Sequence, residues 1–221
     1  MTYTYGHAFA DTGTTLTGSP NQGSKDRRNI AAGYSSAAWD IRHSVVTSFL
    51  YDLPFGKGKQ YLNTGGPLNW VLGNWQANSI LTFRTGAPLT LGTNQCVGTF
   101  GTCQPDLVAG KNPAAAPSGG RSPGEWFDIT AVTNPTPGTP GSVGLQTNNR
   151  PGQRNVDFSL FKDITFTERF KVQFRAEAFN IANTPQWDRP NVTQGEPNFG
   201  VITGTQANSQ RHIQFALRFM F

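Results

Sequence analysis

Two cysteines, three histidines and a few charged residues hold whatever chemistry this chain could perform. Cys96 and Cys103 flank Val-Gly-Thr-Phe-Gly-Thr. Two nearby thiols can be a metal pair or a redox dithiol, or they can staple a loop as a small disulfide. The spacing is not Cys-x-x-Cys and no histidine lies within residues 92–151, so zinc is disfavoured and a disulfide is expected. His7, His43 and His212 fall in three different segments and would have to converge to hold a metal, so no metal site is expected. Gly56-Lys-Gly-Lys59 lacks the spacing of a phosphate loop, and Gly110-Lys111 is followed by Asn112 rather than Ser or Thr. No nucleophile elbow and no metalloprotease helix motif occurs. Arg175 and Glu177 sit two apart on an alternating segment and read as wall charges that could also meet a ligand. No catalytic constellation emerges: no enzyme activity and no cofactor are expected.

Composition narrows the field further. The 221 residues are 36% hydrophobic and 14% charged, with 25 Gly, 15 Pro and 16 Phe. Both fractions fall below the usual globular levels of about 45–50% and about 25%. Aromatics among turn formers point to many strands joined by long loops. No apolar run exceeds three residues, whereas a membrane helix needs about 20. The start of the chain, Thr2-Tyr-Thr-Tyr-Gly-His7, is no signal peptide, which leaves a cytoplasmic protein or a chain lacking its true beginning. Net charge is +5, but the basic residues are scattered apart from Lys25-Asp-Arg-Arg28, so nucleic acid is not an expected partner.

The elements that would position these residues are strands. Period-two alternation recurs while helical periodicity is nearly absent. Ile213, Phe215, Leu217, Phe219 and Phe221 alternate with Gln214, Ala216, Arg218 and Met220. Val172, Phe174, Ala176 and Ala178 oppose Lys171, Gln173, Arg175 and Glu177. Val156, Phe158 and Leu160 oppose Asn155, Asp157 and Ser159. Trp75, Ala77, Leu81 and Phe83 oppose Gln76, Asn78, Thr82 and Arg84. His43, Val45, Thr47, Phe49 and Tyr51 face a mixed side. Six strands are expected, over about 2–10, 40–53, 74–91, 154–166, 170–183 and 209–221. Thr167-Glu168-Arg169 is short enough for a tight hairpin.

Connection lengths alternate. Residues 11–39, 92–151 and 184–208 form long loops, and 54–73 and 167–169 form shorter links. The longest holds ten Gly and eight Pro. Structureless loops of this length are unusual in compact soluble domains. Long loops at one end and short turns at the other describe an outer-membrane barrel.

Alternation also fits a soluble sandwich, in which the apolar face meets a second sheet. Three features favour lipid. The polar faces carry Arg84, Asp157, Lys171, Arg175, Glu177 and Arg218, which suit a wet lumen. Trp75, Phe166, Phe170 and Phe221 lie near strand ends, where an interfacial girdle would stand. The chain also closes on Phe221 in mid-alternation. The expected fold is therefore all-β: an antiparallel up-and-down transmembrane β-barrel fragment of about six strands with long outer loops. In an oxidising outer location the Cys96–Cys103 disulfide is favoured. Trp126, Phe127, Trp187 and Phe199 fall in the outer loops, where they either grip a ligand or fold back on the rim.

Five segments carry a family resemblance. They are Asp40-Ile-Arg-His43 leading to Tyr51-Asp-Leu-Pro-Phe-Gly-Lys-Gly58; Gly73-Asn-Trp-Gln-Ala-Asn-Ser-Ile-Leu-Thr-Phe-Arg-Thr-Gly-Ala-Pro88; Asn155-Val-Asp-Phe-Ser-Leu-Phe-Lys-Asp163; Phe174-Arg-Ala-Glu-Ala-Phe-Asn180; and Phe215-Ala-Leu-Arg-Phe-Met-Phe221. Together, from about residue 34 onward, the chain resembles the C-terminal part of the TonB-dependent outer-membrane receptors of the Oar-like type, which carry a carboxypeptidase-regulatory-like domain. The resemblance implies an integral protein of the bacterial outer membrane. It implies a terminal strand (Ile213, Phe215, Leu217, Phe219, Phe221) read by the barrel-assembly machinery. It also implies uptake or surface binding of a bulky ligand, driven by TonB through a plug. Such transporters have about 22 strands. Six make a fragment: plug, N-terminal domains and most of the barrel are expected to be missing, so transport by this chain alone is not expected. The expected partners are outer-membrane lipid, the assembly machinery, the missing remainder of barrel and plug, and TonB through that plug. Two other readings compete. One is a soluble secreted β-sandwich module binding a carbohydrate-like ligand. The other is an adhesion protein that closes a barrel from several copies.

Overall fold

Alternation along five long segments and the short turn at 166–170 leave one economical arrangement, a meander in which each strand pairs with the next. A computed structural model describes residues 1–10, 29–63, 66–97, 103–167 and 169–221 and has this arrangement. The strands are β1 (Thr2–Tyr5), β2 (His43–Asp52), β3 (Trp75–Arg84), β4 (Gln153–Thr165), β5 (Lys171–Phe179) and β6 (His212–Met220). They form one sheet in chain order, and every pairing is antiparallel. β2 to β6 have the roughly 9–11 residues or more that a tilted membrane strand needs. Among the described residues, the outer edges of β1 and β6 pair with no strand, so the sheet is open. No helix among them is long and apolar enough to cross a membrane.

Register fixes the two faces, because directly paired residues point the same way. One row runs Tyr51, Ala77, Leu160, Ala176, Phe215 across β2 to β6, and the next row on that face runs Phe49, Ser79, Phe158, Ala178, Ile213. The opposite face carries Leu50, Asn78, Ser159, Glu177, Gln214. A one-residue slip anywhere would turn a whole strand inside out, so the alternation itself holds the register.

No second layer covers the apolar face among the described elements; the long strands touch chiefly their sheet neighbours. On β6, Ile213, Phe215, Leu217 and Phe219 are 55–70% exposed. Each such side chain gains about 1.5–3 kcal/mol on leaving water. A soluble sandwich would bury this face against a second sheet.

The buried core lies in the loops. Leu91, Phe127, Val132 and Val143 form one cluster, with Trp126, Val192 and Phe199 packed against it. The described parts of the long connections are therefore not the structureless loops that their Gly and Pro content suggests. Two-residue strand pairs organise them: Pro88–Leu89 with Asn148–Asn149, Gly92–Thr93 with Thr193–Gln194, Asp106–Leu107 with Val132–Thr133, and Phe9–Ala10 with Ser35–Ser36. Pairings this short leave no periodic trace in sequence.

Strand ends differ from the alternation limits for local reasons. The segment expected over 74–91 breaks after Arg84, where Gly86 passes so close to Arg150 that a Cβ would lie 1.6 Å from the Arg150 carbonyl oxygen. The segment expected over 2–10 breaks at Gly6 to Ala8, and Phe9–Ala10 pairs elsewhere. The short-link end holds the hairpin at 166–170, where the N–H groups of Phe166 and Thr167 both reach the Phe170 carbonyl. It also holds one helical turn, α1 (Pro67–Leu72), with Pro at its start and the Gly73 N–H returning to the Asn69 carbonyl.

Candidate functional site

The loop end of the sheet is held by polar residues at strand termini. Asp40 is almost fully buried beside the start of β2. Its carboxylate accepts from His7 Nδ1 at 2.6 Å and from the Ala8 N–H at 3.1 Å, and the Arg42 guanidinium lies 3.9 Å away. This links the connection after β1 to β2. Asp157 on β4 accepts from the Asn155 amide and from the Asn180 N–H, each at 2.9 Å. Asn180 follows β5 in the left-handed region, at φ 49°, which Asn tolerates better than most side chains. Its amide donates to the carbonyls of Thr184 and Ser209 and accepts from the Thr184 N–H. Gln186 closes on β4 like a strand partner, accepting from the Arg154 N–H at 3.1 Å and donating to the Arg154 carbonyl.

Beyond these clamps the loops form a cap. Phe127 is fully buried and meets Phe199 edge-on at 5.3 Å. Trp126 donates to the Asn149 carbonyl, while Arg121 lies 5.4 Å from its ring centre. Of the aromatics that sequence left open, Trp126, Phe127 and Phe199 thus fold inward into the core of the cap, while Trp187 pairs with Thr205 outside that cluster. Cys96 and Cys103 are joined as a disulfide. Asp106 gathers the Thr136 N–H and hydroxyl and the Ser142 N–H at 2.7–2.9 Å. The Thr136 N–H is the main reason its carboxyl sits below the ordinary range, with partial burial opposing. Asp128 is lowered chiefly by the Thr130 hydroxyl.

The register puts Arg84, Asp157, Lys171, Arg175, Glu177 and Arg218 on one face of the sheet. They do not pair with one another. Arg175 donates to Gln173 at 2.8 Å and lies 5.0 Å over the Phe161 ring. Glu177 accepts from Gln214 at 2.6 Å. At the loop end of this face, β4, β5 and β6 meet the connection 180–211 around a cavity of about 450 Å³. Its walls include Gln153, Asp157, Phe179 and His212 from the strands and Gln206 to Gln210 from the connection. Sequence reading named Asp157 there and missed the amides, which carry no motif.

The full pattern matches the family described as an outer membrane beta barrel domain over residues 1–214. The chain belongs to that family. No curated protein and no solved structure matches it.

In an outer-membrane barrel the two faces have assigned solvents: the apolar face meets lipid and the charged face lines the lumen. The four apolar side chains of β6 on the lipid face, Ile213, Phe215, Leu217 and Phe219, then lose their contact with water. Phe221 follows the last paired residue and is fully exposed. Two charged residues that sequence reading missed share the apolar face, Arg154 opposite Phe83 at the loop end and Lys162 at the other end. Lys162 shares a row with Trp75, Phe174 and Leu217 on the barrel's outer face. Its stem runs toward the short-link end, where Nζ donates to the Gly73 carbonyl at 2.5 Å and lies 5.1 Å over the Trp75 ring. The residue is only 7% exposed, so the ammonium is held by the Gly73 carbonyl and the Trp75 ring rather than by water.

Proposed function

We propose that this chain is the C-terminal segment of a TonB-dependent outer-membrane receptor of the Oar-like type, serving uptake or surface binding of a bulky ligand and performing no catalysis. The observation that carries the barrel part is the uncovered apolar face opposite a face that bears Asp52 and Asp163 besides the six charges expected there. The open sheet supports the segment part. In hydrocarbon each unsatisfied backbone group costs several kcal/mol, so the edges of β1 and β6 need strands supplied from elsewhere. Those strands, with plug and N-terminal domains, complete the receptor, and TonB acts through the plug. The barrel-assembly machinery reads β6 and Phe221. In this orientation the cap faces the outside of a bacterial cell and the short links face the periplasm. Nucleic acid is no partner.

The test is an antibody against residues 92–151, applied to fractionated native cells. The reading expects an outer-membrane band several times heavier than 24.0 kDa. A 24.0 kDa band in the soluble fraction would restore the sandwich. A detergent-stable oligomer of 24.0 kDa subunits in the outer membrane would replace the receptor with a multi-copy barrel.

A further inference from the structure

We infer that the cavity at the loop end of the charged face is a binding site for a neutral, polyhydroxylated ligand, one or two sugar units of an oligosaccharide. The inference rests on the receptor reading for its location, since the cavity then opens into the outer mouth of the lumen. Its volume of about 450 Å³ is within the range of ligand pockets, about 300–1,000 Å³.

The amides around the cavity fall into two groups. Asn180 and Gln186 have their side-chain groups engaged in holding the wall. Gln153, Asn208 and Gln210 line the cavity and make no side-chain hydrogen bond among the described residues. Gln206 donates to the Trp187 carbonyl at 3.1 Å, which leaves its amide oxygen available. A primary amide offers two donors beside a carbonyl acceptor, and a sugar hydroxyl both donates and accepts. Asp157 takes both of its hydrogen bonds on Oδ1, leaving Oδ2 to accept a hydroxyl in a charge-assisted bond.

Phe179 supplies the apolar part. It is 42% exposed, its ring centre is 6.4 Å from that of His212, and its face suits the C–H side of a pyranose. The charge balance excludes other ligands. No Lys or Arg lines the cavity, which argues against phosphates and acidic glycans. A single carboxylate among neutral amides does not make a cage for a divalent cation. An acyl chain would leave the amides of Gln153, Asn208 and Gln210 without partners. The turn carrying Asn208 is preformed, with the Ser209 N–H on the Gln206 carbonyl at 3.2 Å and Asn208 at φ 60°. Gly tolerates that backbone, so Asn208→Gly removes the amide without strain.

The experiment places the full-length, detergent-solubilised protein on an array of neutral oligosaccharides, acidic oligosaccharides and peptides. A triple variant, Gln153→Ala, Asn208→Gly, Gln210→Ala, and the single variant Phe179→Ala are run beside it. Unchanged outer-membrane location and unchanged heat-modified gel mobility certify assembly of each. The site predicts binding of neutral glycans, weakened at least tenfold in both variants. Assembled protein that binds no neutral glycan, binds only acidic glycans or peptides, or binds equally well in both variants overturns the site and leaves the receptor reading standing. Neutral-glycan binding lost in the variants by a protein found in the soluble fraction keeps the ligand and removes the receptor.

Discussion

Asn180 shows how a residue without catalytic chemistry can decide the shape of a site. Its N–H, amide nitrogen and amide oxygen join β4, the turn at 180–184 and Ser209. Asn180→Ala leaves the Ser209 carbonyl and the Thr184 N–H unpaired, while Gln186 still serves the Thr184 carbonyl, and costs about 1–3 kcal/mol. We expect faster proteolysis of the 185–207 connection with the barrel itself intact, checked by mass spectrometry of limited digests. Asp106 gives the cap a pH dependence. Its folded value lies below the ordinary 3.8, so its contribution is complete above that value and is lost as pH falls through the depressed one. Hydrogen-exchange protection of the Thr136 and Ser142 amides, corrected for intrinsic exchange, should therefore fall below about pH 4 in the native protein and show no such acid-dependent loss in Asp106→Asn. Asp40, Asp157 and Asn180 stood in the resemblance segments, yet their work as clamps was not legible. The partner of each lies 23 to 33 positions away or in another loop, and no periodicity reports such a distance.

The long strands were legible because each side of the sheet meets one solvent, and that requirement writes a period of two into the sequence. Their ends were less so, since the close approach of Gly86 to Arg150 ends one strand without any change of polarity. The cap was illegible. Its strands are two residues long, and Leu91, Phe127, Val132 and Val143 come together from segments that show no pattern. The lipid face predicts a gradient of tolerance. Leu81, midway along β3 and paired with Thr47 and Val156, faces the middle of the band. Leu81→Arg should cost about 2–4 kcal/mol, whereas a charge near the rim costs about 0–1 kcal/mol, which is where Lys162 carries its ammonium. Urea unfolding in lipid vesicles measures both. Replacing Phe221 with Asp should prevent membrane assembly if the terminal aromatic is read by the assembly machinery, and unchanged yield in the outer membrane would remove that role.

At the scale of the molecule, the sheet inverts the usual plan of a globular domain. Its apolar side is uncovered, and the buried cluster sits in the loops at one end. That inversion makes sense only if lipid is the missing layer. The most direct test is a nitroxide scan of residues 212–220 in native outer-membrane vesicles, comparing collisions with oxygen and with a water-soluble nickel chelate. The account predicts strict alternation: Ile213, Phe215, Leu217 and Phe219 reached by oxygen, and His212, Gln214, Ala216 and Arg218 reached by the chelate. Apolar positions shielded from both reagents would mean that protein covers them, and the lipid-facing barrel would be wrong.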